Sequence, residues 1–228
     1  MIFCYAISAL IFAGQIPSDY PLRVNGSRSA VESFINILNQ ELGDSSILKV
    51  SKIEGSKNEY GIRLVRRNST SSLTTQQDRF HCAMNYLLGD SLRNFRLWLV
   101  ENSERILIGD GQHGIIDIAD IVKFDNGRTN RFTVGCVLLH ELYEQHYLQA
   151  VNKLHPGKVN QRQLKKAHFA ATQKESNLFD LLAVKTESFK DNYFIYIEFK
   201  SRLDESKERY HAYYENGNIG YVEKINTQ

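Results

Sequence analysis

The sequence predicts an α+β protein, with a small mixed or antiparallel sheet packed against a long helical pair. Three observations predict it. β-prone runs occupy both ends of the chain, around a central helical region. Two long stretches in that region, 133–154 and 159–184, carry apolar residues at helical spacing. Strands and helices do not alternate one for one, which excludes a regular βαβ series.

The elements follow in order. Residues 1–14 are apolar and uncharged. They have the length of a signal-peptide core but no opening basic residues, and the alternative is a buried first element or a fragment cut from a longer chain. Segment 1–26 is therefore set apart from a main domain at 27–190. Residues 29–42 carry Val31, Phe34, Ile35, Ile37, Leu38 and Leu42, a helical stripe stopped by Gly43. Runs 47–53 and 60–65 read as strands. The Ser/Thr-rich stretch 66–77 reads as a loop, and 80–88 as a short helix ended by Gly89. Runs 95–100, 106–109 and 114–124 read as strands, with Gly109-Asp110-Gly111 as a turn. His155-Pro156-Gly157 separates the two long helices. The tail, 191–228, returns to strands as a hairpin extension around Asn216-Gly217.

Composition narrows the function classes. Hydrophobic residues make up 42% and charged residues 24%, the mix of a globular domain. A net charge of +2 is too small to imply nucleic-acid binding. Three Cys exclude a disulfide framework. No apolar run reaches the roughly 18–20 residues that span a bilayer.

The chemistry concentrates in Val137-Leu138-Leu139-His140-Glu141-Leu142-Tyr143-Glu144-Gln145-His146. Residues four apart share a helix face, so His140 and Glu144 stack one turn apart, with Glu141 at the rim. His146 lies round the helix and cannot join them. Apolar residues surround this helix, so its polar groups need partners, and a metal ion would supply one. In the second helix Leu164, His168, Ala171, Glu175, Leu178 and Leu182 form one stripe. His168 and Glu175 thus project where core residues belong. Zinc accepts imidazole and carboxylate, with three protein ligands and one open position in catalytic sites. His140, Glu144 and His168 make such a set. Glu141 stands beside the bound water as general base. Glu175 is an alternative ligand, or an acceptor that orients an imidazole.

An apolar His-Glu helix preceded by the strand Gly114-Ile115-Ile116-Asp117-Ile118 resembles the zincin metallopeptidases, and among them the compact effector and toxin peptidases secreted by bacteria. The resemblance covers about residues 106–182. It implies a zincin-like fold, a zinc cofactor, a peptide or protein substrate, an inhibitor or immunity protein as partner, and a secreted or delivered location, with the cytoplasm as the alternative. It assigns His140 as ligand and Glu141 as base. Zincins carry His-Glu-x-x-His, and this chain has Glu144 at the fifth position.

Two other readings stand beside the hydrolase. His and Glu near Lys and Arg also suit a metal-dependent nuclease. The change to Glu144 suits a non-catalytic module of the same shape. Neither nucleic acid nor a membrane is the first partner expected. Asp117 and Asp120 read as surface carboxylates, Cys136 as a small core residue, and Lys158, Arg162, Lys165 and Lys166 as a solvated helix face.

Overall fold

The computed structural model describes residues 20–44, 46–67, 73–89, 95–124, 131–154, 159–178, 181–189, 194–201, 207–215 and 218–225. Segment 1–14, the turns at His155-Pro156-Gly157 and Asn216-Gly217, Lys158 and the side chain of Cys136 lie outside them.

The architecture is α+β. In chain order the elements are β1 (Leu22–Asn25), α1 (Arg28–Leu42), β2 (Ser46–Lys52), β3 (Glu59–Arg66), α2 (Thr75–Gly89), β4 (Phe95–Val100), β5 (Gly109–Asp110), β6 (Ile115–Asp117), α3 (Ile118–Val122), α4 (Arg131–Leu154), α5 (Gln161–Leu178), β7 (Leu181–Phe189), β8 (Phe194–Ser201), β9 (Lys207–Glu215) and β10 (Asn218–Ile225). A mixed six-stranded sheet has the order β2-β3-β1-β4-β6-β5, and β10-β9-β8-β7 form a second, antiparallel sheet. In the first sheet β1, β4 and β6 are parallel, and β5 closes one edge antiparallel to β6.

Capping chemistry fixes where the helices begin. Ser27 accepts the Ala30 N–H at 3.0 Å and donates to Glu101 at 2.6 Å, tying the start of α1 to the end of β4. Gly43 ends α1 with φ 65°, a conformation that favours glycine. A Ser27→Ala variant should lose about 1 kcal/mol, seen as a melting temperature lower by about 2–4 °C. The helix expected at 80–88 starts earlier, at Thr75, because Thr74 and Gln77 cap each other reciprocally at 3.2 and 3.1 Å. Asn160 and Gln163 do the same for α5, at 3.1 and 2.8 Å.

Three expectations are corrected. The run 114–124 is not one strand: β6 stops at Asp117, whose carboxylate caps α3 by accepting from Ala119 and Asp120 at 3.0 and 3.4 Å. The second long helix does not reach 184. It ends at Leu178, and Leu182 sits in β7 opposite Lys200, where pairing with β8 overrides the continuing helical spacing. The strand expected at 106–109 is confined to Gly109–Asp110, so two of the three residues read as a turn form β5. β1, four residues long, lies between β3 and β4 within the sheet.

The core lies between the first sheet and α1–α4. Leu22, Val24, Ile62 and Leu97 point from the strands into a cluster with Phe34, Leu38, Met84, Leu138 and Leu142. Among the described residues no helix is long and apolar enough to cross a membrane.

Candidate metal centre

α4 is anchored in the core by Val137, Leu138, Leu139 and Leu142, all 6% exposed or less. Burial of that face leaves His140, Glu141 and Glu144 on the side turned to α5 and β5. α5 packs along α4 and brings His168 and Glu175 to the same place. His140 Nε2 approaches His168 Nδ1 at 3.0 Å and Glu144 Oε2 at 3.4 Å, and Glu144 Oε2 lies 3.1 Å from His168 Nδ1. These three atoms form a nearly equilateral triangle. A tetrahedral ion with bonds of about 2.0–2.1 Å holds its ligand atoms about 3.3–3.4 Å apart, so the donors fit such an ion in type and spacing. His140, Glu144 and His168 can therefore hold a metal ion.

Glu175 occupies a different place. It is 5% exposed and accepts from His140 Nδ1–H at 2.9 Å. That bond fixes the imidazole so that Nε2 faces Glu144 and His168. Of the two places open to Glu175 in the sequence, the geometry matches the one that orients an imidazole.

Charge is concentrated here. Burial alone would lower His140, but hydrogen bonds to Glu144 and Glu175 and the charges of Glu175 and Glu141 raise it to about 10. Burial would raise Glu144, yet hydrogen bonds from His140 and His168 and their charges bring it to about 2. For Glu141, burial raises the carboxyl, His140 opposes, and Glu144, Glu175 and Asp110 push upward, giving about 7.

The edge strand lies directly over these carboxylates. A Cβ at Gly109 would overlap the Glu141 carboxylate. A Cβ at Gly111 would stand 2.7 Å from Glu144 Oε1 and 2.6 Å from Leu148 Cδ1. A side chain at either position would push those carboxylates or Leu148 aside, so the two glycines leave room for Glu141 and Glu144 where they stand. In front lies a cleft of about 820 Å³, lined by residues 105–107 and 109–112 with Glu144, Leu164, Lys165, His168, Phe169 and Thr172. His168, with 48% of its side chain exposed, is the open corner of the triangle.

The remaining candidates fall outside the triangle. His146 is 4% exposed and packs edge-on against Phe95 and Tyr86, a core role. Arg162, Lys165 and Lys166 are exposed on α5. Asp117 and Asp120 are not surface carboxylates: they are 0% and 1% exposed. Asp117 accepts the N–H groups of Asn102 and Ser103 at 3.2 and 2.6 Å, and Asp120 accepts that of Ile108 at 3.2 Å. They hold the loop leading into β5. The missed signal was Asp directly after Ile-Ile and before Ile, a spacing that admits a buried helix cap as readily as a strand. Compared with protein-family models, curated proteins and solved structures, the chain matches none.

Proposed function

We propose that this chain is a zinc-dependent, zincin-like hydrolase that cleaves peptides. The observation that carries this reading is the donor triangle of His140, Glu144 and His168, with Glu141 beside it beneath β5, the edge strand of the sheet among the described residues. A zinc ion bound there supplies a Lewis acid for the peptide carbonyl and lowers the pKa of the attacking water to about 7.

The chain's own residues divide the remaining work. Glu141 takes the proton from the attacking water and returns it to the leaving amine, so one carboxylate serves as base and then acid. Glu175 keeps the His140 ring in one orientation throughout. Among the described residues β5 pairs only with β6, and an extended peptide adds to such an edge through main-chain hydrogen bonds. Among the described residues of the cleft lining, Arg105 and Lys165 are the only Lys or Arg, which suits a peptide better than a polyanion.

The test is digestion of a mixed peptide pool by the full chain after incubation with zinc, read by mass spectrometry, with a chelator control. Cuts that vanish on chelation and return with zinc are expected. An uncut pool, beside DNA or RNA cleaved in magnesium, manganese or zinc, would replace this reading with a nuclease.

A further inference from the structure

We infer that the cleft carries a dedicated pocket for a large apolar side chain of the substrate, walled by Leu107 and Ile106 on one side and by Phe169 and Leu164 on the other. This rests on the peptidase reading for its substrate class and on separate observations for its location. Phe169 is 63% exposed and Leu107 is 44% exposed, and both line the cleft onto which Glu144 and His168 open. Large apolar side chains open to water in a concave site are characteristic of ligand contact.

The backbone beneath Leu107 gives the second observation. Asn102 and Ile108 have φ of 54° and 60°, in the left-handed region. For β-branched Ile108 that conformation is strained. Two buried carboxylates hold the strained loop in place. Asp117 takes the N–H groups at its start and Asp120 takes the N–H of Ile108 at its end. The Asp117 N–H donates to the Ile108 carbonyl at 2.8 Å. The positive φ at Ile108 turns its own side chain into the core, at 8% exposure, while Leu107 beside it is left outside. The loop therefore holds Leu107 at the cleft surface on the same side as Phe169, with strained backbone at Ile108. The arrangement makes sense if a substrate side chain covers Leu107 and Phe169.

The probe is a set of blocked peptides on a Gly-Ser-Ala background, with one central position varied among Leu, Phe, Met, Ala, Ser and Asp. Two readouts are taken on the full, zinc-loaded chain: enrichment of residues beside the cut, and equilibrium binding to a Glu141→Gln variant by fluorescence anisotropy. Leu, Phe and Met should be preferred over Ala and Ser by about 10- to 100-fold in both. Phe169→Ser and Leu107→Ser should each bring that ratio toward one. Both residues are exposed, so these variants keep the fold, which circular dichroism verifies. Equal affinity for Leu- and Ala-centred peptides, or a preference unmoved by both variants, overturns the pocket. A pool left uncut while the binding preference persists and responds to the variants upholds the pocket and counts against the peptidase reading alone.

Discussion

Replacing Glu141 by Gln is expected to cut peptide turnover by about 100- to 10,000-fold while metal content stays at the wild-type level. The separation of the two effects comes from position. Glu141 is one residue beyond His140, about 100° round the helix, and its carboxylate lies under Gly109, outside the donor triangle. The substitution keeps the shape of the side chain and removes its ability to accept a proton. In the metal-free chain burial and the surrounding carboxylates raise its pKa to about 7, and a cation held beside it would favour the carboxylate that accepts the proton. The checking measurements are kcat on the best peptide and metal per chain on the same sample. Undiminished turnover in the variant would show that Glu141 is not the base.

Asp117→Ala is expected to lower unfolding free energy by about 3 kcal/mol or more, because buried N–H groups left without an acceptor each cost about 1–3 kcal/mol. Its carboxylate accepts from Asn102, Ser103, Ala119 and Asp120, and it is 0% exposed. One side chain therefore caps α3 and anchors the loop that leads to β5. The melting temperature should drop by about 6–12 °C for a chain of this length. Asp117→Asn, which keeps one acceptor oxygen, should lose less. Denaturant titrations of both variants check the order, and a loss under about 0.5 kcal/mol for Ala, the range of an ordinary surface change, would contradict the anchoring role.

Much of this was legible in the sequence where the pattern is local. The α1 stripe of Val31, Phe34, Ile35, Leu38 and Leu42 is buried as its spacing requires. His140 and Glu144 face one way because four residues make about one helical turn. His168 and Glu175 interrupted an otherwise apolar stripe, and the structure puts both against His140. What stayed hidden depends on pairing across the chain. β1 is too short for its alternation to stand out. The first four residues of β7, 181–184, continue the helical spacing, and only pairing with β8 makes them a strand. Gly109 and Gly111 read as turn residues, since the room they leave for Glu141 and Glu144 shows only where β5 and the turn after it lie over α4. Asp117 and Asp120 were read as solvated because nothing local shows the N–H groups they satisfy.

The most direct test of the metal centre is elemental analysis of the purified chain by mass spectrometry after incubation with zinc and desalting, beside His140→Ala and His168→Ala. His168 is the more exposed ligand, so its variant separates loss of metal from loss of fold. About one zinc ion per wild-type chain, absent from both variants, is the predicted result. A wild-type chain that holds no zinc, or variants that keep it, would mean that His140, Glu144 and His168 form only an ion-pair network.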